Sequence, residues 1–171
     1  MQIQEAIQLI QSAPFLTQNP QSWADLGCGK GLFTEALAHL LPSNSQIHAV
    51  DSNKRALQQL PNSFGTIAIQ PHQLDFVSSL LPLQALDGVL MANSLHYVRD
   101  KHAFLEKLKK SLKPTAHFLI IEYDHANANP WVPYPIDFVA LKSLMGREFH
   151  KVGEKASRFG GMMYAAWGTF K

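Results

Sequence analysis

The chain has 171 residues, 46% of them apolar, with 15 Lys and Arg against 13 Asp and Glu. That is enough for one domain with a sizeable core, and a formal charge of +2 carries no basic cluster of the kind that binds nucleic acid. The single cysteine, Cys28, excludes an internal disulfide framework and a multi-cysteine zinc or iron–sulfur site. The opening residues Met1-Gln2-Ile3-Gln4-Glu5 lack the cationic start and apolar core of a secretory signal. No run reaches the roughly 18 apolar residues of a membrane span. The expectation is a cytoplasmic protein without a membrane partner, monomeric or homodimeric, occupying 1–171 as a single domain.

Ile3, Ile7 and Ile10 recur at helical spacing and predict a short amphipathic helix over 3–11. Pro14 and Pro20 bracket a linker, so helix and linker together occupy 1–20, ahead of a strand at 22–26. A helix over 31–41 places Phe33, Ala36, Leu37 and Leu40 on one face, with Pro42 as its stop signal. A second strand, 46–50, ends at Asp51, and a short helix groups Ala56, Leu57 and Leu60 before Pro61. A third strand is expected at 66–70, with His72 to Phe76 as the loop behind it. Residues 86–92 read as a buried central strand, 93–97 as its loop, and 100–112 as a helix packing Phe104, Leu105, Leu108 and Leu112. The strand 117–123 follows, then the proline-rich stretch 125–135, a helix near 136–146, and two strand-like segments, 149–156 and 162–170, around Gly160-Gly161. Strands alternating with helices predict a mostly parallel sheet with helices on both faces, closed by an antiparallel hairpin. The run Lys107, Lys109, Lys110 and Lys113 reads as the solvated face of its helix.

Asp25-Leu26-Gly27-Cys28-Gly29-Lys30-Gly31 carries the most information. Glycines between a strand and a helix let a ligand approach bare backbone, because Gly accepts positive φ and has no Cβ. The free N–H groups of the helix behind such a turn favour an anionic group. The spacing is G-x-G-x-G; a dinucleotide fingerprint would want its third glycine at 32, where the chain has Leu32. Asp51 then closes the second strand, where a carboxylate can accept hydrogen bonds from two vicinal ribose hydroxyls. Alone, Asp51 reads equally as a helix N-cap. Together the two features place a nucleoside across the carboxyl ends of the first two strands.

This combination resembles the class I S-adenosylmethionine-dependent methyltransferases, from about residue 20 to the end of the chain. The resemblance implies a Rossmann-like, seven-stranded α/β sheet with a C-terminal antiparallel hairpin. It implies S-adenosyl-L-methionine as cofactor and S-adenosyl-L-homocysteine as product. Asp25 would then help to order the loop formed by Gly27, Cys28, Gly29 and Gly31. Asp51, with Ser52 beside it, would hold the ribose. Asp75 would meet the adenine amine with Phe76 beside the ring, and Ala92 and Asn93 would contact the methionine amine. The stretches 93–97 and 129–135 are similar to a small bacterial branch of that superfamily, the type 11/12-like methyltransferases, from which no substrate carries over.

Methyl transfer from a sulfonium needs mainly alignment, a contribution on the order of 7–11 kcal/mol. A hydroxyl or ammonium acceptor also needs a base, typically for about 10²–10⁴-fold. His96, after the fourth strand, is the first candidate, since imidazole suits neutral-pH proton transfer; packing against the following helix is its structural alternative. Asp124 is the second candidate, with His125 beside it; a carboxylate bound to its own loop is the alternative there. Tyr97, Trp131 and Tyr134 are candidates for lining an acceptor site, against plain core packing. No Asn-Pro-Pro-Tyr follows the fourth strand, which argues against amide or adenine-amino chemistry. Cys28 lies in the cofactor loop and not in a substrate loop, which argues against cytosine-C5 chemistry. Asn93 stands where a magnesium-dependent catechol-type site would want a carboxylate, so no metal is expected. The lid is expected from the first helix and from loop 125–135. A small molecule is the expected acceptor, with a protein or RNA, or a non-catalytic cofactor-binding regulatory subunit, as alternatives.

Overall fold

The computed structural model describes residues 1–14, 18–157 and 160–169. Residues 15–17 of the expected linker, and the end of the last predicted strand at 170, lie outside the described residues.

Eight strands form one sheet in the order β3-β4-β2-β1-β5-β6-β8-β7. They are β1 (Ser22–Leu26), β2 (Gln46–Asp51), β3 (Ser63–Phe64), β4 (Ile67–Gln73), β5 (Leu86–Ala92), β6 (Leu112–Tyr123), β7 (His150–Ala156) and β8 (Met162–Gly168). Strands β4, β2, β1, β5 and β6 run parallel, and β8 pairs antiparallel with both β6 and β7. The two-residue strand β3 is the addition to the seven expected; it folds back antiparallel on Ile67 and Ala68. Past Ile69, whose N–H donates to Asn62 O at 2.9 Å, no strand among the described residues pairs with β4 on that side, so Pro71, which cannot donate to a ladder, is tolerated there. The strand therefore runs through His72 and Gln73, where a loop was expected.

Helices α1 (Ile3–Ile10), α2 (Leu32–Ala38), α3 (Lys54–Leu57), α4 (Lys101–Leu108) and α5 (Phe138–Met145) cover the sheet. One face buries Ala6, Leu9 and Ile10 of α1 with Leu37, Ile47, Leu90 and Leu119; the other buries Leu105 and Leu108 with Val89, Phe118 and Leu141. Side chains of a strand alternate between faces, so Leu119 and Phe118 serve opposite cores from one apolar run. Asp100 caps α4 by accepting from Ala103 N–H at 3.0 Å, and Asp137 caps α5 through Ala140 N–H at 2.8 Å. The helix expected over 100–112 ends at Leu108, and a 3₁₀ turn, Lys109–Ser111, hands the chain to β6 at Leu112. No helix among the described residues is long and apolar enough to cross a membrane.

Candidate functional site

At the carboxyl end of β1 the glycine turn takes its shape from three positive φ angles, +80° at Gly27, +54° at Gly29 and +88° at Gly31. The positions differ in what surrounds them. A Cβ on Gly27 would lie 2.6 Å from Ser94 Cβ, and one on Gly31 would collide with Leu60, whereas one on Gly29 would meet nothing within 4 Å. Two of the glycines are thus dictated by packing, and Gly29 turns its bare face to open space. Ser94, itself buried, donates to Leu26 O at 2.5 Å and ties the ends of β1 and β5 together.

Asp51 spans this turn. Its Oδ2 accepts from Gly29 N–H at 2.8 Å and its Oδ1 from Asn53 N–H at 2.7 Å. The N-cap of α3 is Asn53, which accepts from Arg55 and Ala56 N–H, so the capping alternative for Asp51 falls away. Ser52 is exposed beside it. Asp25 is buried beneath the turn, its Oδ2 accepting from Thr34 Oγ1 at 2.6 Å while Oδ1 has no partner. Burial pushes its carboxyl up to about 7, and the neighbouring Asp51 charge adds to the rise. The same burial, near both carboxylates, raises the Cys28 thiol well above its ordinary range and keeps it an unreactive neutral group.

Asp75 and Phe76 are less available than the sequence suggests. The Asp75 carboxylate closes its own turn, accepting from Val77 N–H at 3.0 Å and Ser78 Oγ at 2.7 Å, and the Ser78 bond holds it below the usual carboxylate range. The Phe76 ring is buried edge-on to Phe104, 5.9 Å between centroids, with one edge reaching toward Gly27. Ala92 ends β5 in register with Ile121, and Asn93 follows at φ +53° with its N–H on Ile121 O and its Oδ1 buried without a partner.

Beyond these strand ends lies a cavity of about 670 Å³, lined by Asn93, His96 and Tyr97 after β5, Tyr123 and His125 at the end of β6, and Trp131 from loop 125–135. His96 is buried, and Glu122, buried with it, accepts from His96 Nδ1 at 2.7 Å and from His96 N–H at 3.1 Å. A carboxylate only accepts, so Nδ1 carries the hydrogen and Nε2 presents a lone pair. That Nε2 is itself buried and without a partner. Sequence reasoning missed Glu122, although an acidic residue closing the run Phe118-Leu119-Ile120-Ile121 was a readable signal: a buried carboxylate needs a partner to repay its desolvation.

Asp124 is turned elsewhere. Its Oδ1 accepts from Phe138 N–H at 3.0 Å and its Oδ2 pairs with Lys151 at 3.3 Å, so the carboxylate anchors the start of α5 and does not reach the cavity. Tyr134 also stands outside the cavity lining, its ring 6.0 Å from Lys101 Nζ. Its backbone is what matters: Tyr134 N–H donates to His96 O at 3.0 Å, and Tyr134 O accepts from Lys101 Nζ at 2.7 Å. Loop 125–135 is thereby fastened to the loop after β5, with Asn129 Oδ1 accepting from the N–H groups of Trp131 and Val132. Helix α1, expected to share the lid, contributes no residue to the cavity lining; its apolar face is spent against α2 and β7.

A family model described as a methyltransferase domain matches residues 24–118. No curated protein matches the chain. Among solved structures, a SAM-dependent methyltransferase from Aquifex aeolicus superposes with a TM-score of 0.67 at 18% identity, covering 92% of this chain and 86% of that one. N-methyltransferase NodS from Bradyrhizobium japonicum WM9 gives 0.70 at 16% identity over 98% and 94%. The plantazolicin methyltransferase BpumL, solved with SAH, gives 0.64 at 12% identity over 99% and 83%. The sheet described above is the fold of these proteins.

Proposed function

Because the chain belongs to the methyltransferase domain family, we propose that it transfers the methyl group of S-adenosylmethionine to a small acceptor held in the cavity beside His96. The observation that carries this reading is the buried, partnerless Nε2 of His96, a residue that lines the cavity at the carboxyl ends of β5 and β6. The residues present fit the cofactor. Asp51 stands at the end of β2 for the ribose, Gly29 leaves open space beside the turn for the cofactor to lie against, and Asp25 Oδ1 and Asn93 Oδ1 are buried acceptors in want of donors. When bound, the cofactor supplies an activated methyl group whose departure needs no acid. The chain's own residues do the rest: Asp51 and the turn orient, the cavity holds the acceptor, and His96 accepts the acceptor's proton at Nε2 while Glu122 holds the imidazole in the required tautomer. A cavity of about 670 Å³ lies in the range of small-ligand sites and supports a small acceptor over a protein or RNA.

The test is incubation of the protein with methyl-tritiated cofactor and separate metabolite, protein and RNA fractions of a cell extract. Label should enter the metabolite fraction. Asp51→Ala should weaken cofactor binding by roughly 1.5–3 kcal/mol, the scale of hydrogen bonds to a charged group, and reduce labelling with it. Label confined to protein or RNA would overturn the small-molecule reading. Cofactor binding with no label in any fraction would favour a regulatory subunit.

A further inference from the structure

We propose that the cavity takes an uncharged, planar aromatic acceptor bearing a phenolic hydroxyl, whose proton passes to His96 Nε2 and whose second polar group meets His125 Nδ1. This rests on the methyltransferase reading above and deepens it. Three of the four buried side-chain atoms without a hydrogen-bond partner among the described residues, Asn93 Oδ1, His96 Nε2 and His125 Nδ1, belong to residues lining this one cavity. Buried polar atoms normally have partners, so their convergence marks a place where a ligand completes the set. Asn93 sits nearest the cofactor end, at the carboxyl terminus of β5, which leaves His96 and His125 for the acceptor.

The walls select for shape. Tyr97, Tyr123 and Trp131 line the cavity, Tyr123 stacks on the His125 ring at 6.0 Å, and Tyr97 lies 4.4 Å from the His96 ring. Aromatic rings prefer offset-stacked or edge-on neighbours, so a flat ring is the natural occupant. The charges select against ions. Among the described residues no Lys, Arg, Asp or Glu lines the cavity, and both oxygens of nearby Glu122 are taken by His96. An ammonium or carboxylate on the acceptor would lose part of its hydration and find no opposite charge among these residues.

The base selects the nucleophile. A phenol ionises near ~10, close enough to imidazole for proton transfer as the new bond forms, whereas an aliphatic hydroxyl holds its proton far more tightly. The step balances: the O–H bond breaks with its proton going to Nε2, an O–CH₃ bond forms, and the methyl's bond to sulfur breaks. A neutral thioether leaves, and the imidazolium returns its proton to water.

The experiment is titration calorimetry of the protein saturated with S-adenosylhomocysteine, using 2-naphthol, 2-naphthoate and 2-naphthylmethylammonium as probes. Naphthol should bind at least tenfold more tightly than either ion. Trp131→Ala, at a side chain 78% exposed and so neutral for folding, should weaken naphthol about tenfold and leave S-adenosylhomocysteine affinity unchanged. His125→Leu should weaken naphthol severalfold at unchanged S-adenosylhomocysteine affinity. Either ion binding as well as naphthol, or naphthol binding equally to wild type and Trp131→Ala, would overturn the aromatic phenol while leaving methyl transfer standing. Failure to bind S-adenosylhomocysteine at all would overturn both.

Discussion

Asp25 is the carboxylate whose environment most changes its chemistry. Burial beneath the glycine turn raises its carboxyl to about 7, whereas in the unfolded chain it ionises near ~3.9. Between those values the folded state binds the extra proton. The contribution is therefore fully present below about pH 4 and is lost as pH rises through about 7, by up to about 1.4 kcal/mol per pH unit. Burial lowers the titration of His48 and His72, which face each other across β2 and β4 at 2.9 Å, and those groups act with the opposite sign below about pH 6.5. Only the difference from a variant isolates Asp25. Asp25→Asn should remove the fall between pH 4 and 7, read as urea midpoints of wild type and variant across that window. Parallel pH profiles would mean the carboxylate is already ionised in the fold. The leading acid of the glycine motif was evident from position alone; that it would be the most strongly perturbed carboxylate required knowing that Thr34 is its one side-chain donor among the described residues and that Oδ1 is buried without a partner.

The glycine turn is a single element in which like residues serve unlike ends. At Gly27 a methyl group would both strain a φ of +80° and press on Ser94 Cβ at 2.6 Å, so Gly27→Ala should cost about 2–4 kcal/mol of stability. At Gly29 the strain is present but nothing is struck, so Gly29→Ala should cost only about 1–2 kcal/mol. Its methyl would enter the open space facing Asp51, and cofactor affinity should fall by roughly tenfold or more. Denaturant titration paired with calorimetry on both variants separates the effects; equal loss of affinity per unit of stability would make the turn a purely structural feature. Spacing in the sequence marked all three glycines as one motif. It could not separate packing from ligand clearance, because the partners Ser94 and Leu60 are supplied by the loop after β5 and by the segment after α3.

For the whole molecule, the relevant question is which parts hold the sheet and which build the cavity. Helix α1 belongs to the first group. Leu9 is buried against the core, its backbone carbonyl lies where a Cβ on Gly153 of β7 would sit, and Glu5 pairs with Lys155 at 2.7 Å. Leu9→Ala should destabilise the fold by about 2–4 kcal/mol, seen as a lower urea midpoint, while cofactor affinity of the folded protein stays within twofold. A selective loss of affinity would return α1 to the lid. Local periodicity determined the alternation of strands and helices, the two apolar faces of the central strands and the hairpin, because each rests on contacts between near neighbours in the chain. The glycine turn and Asp51 were legible for the same reason, each standing at a strand end that pattern alone locates. Which carboxylate serves His96 was decided only by tertiary structure. Glu122 still belongs to β6 and is held buried behind His96, whereas Asp124 follows the strand's end and turns to the start of α5. That choice depends on where β6 ends and on which partners the fold brings there, His96 standing 26 residues from Glu122 and Phe138 14 residues from Asp124 in the chain.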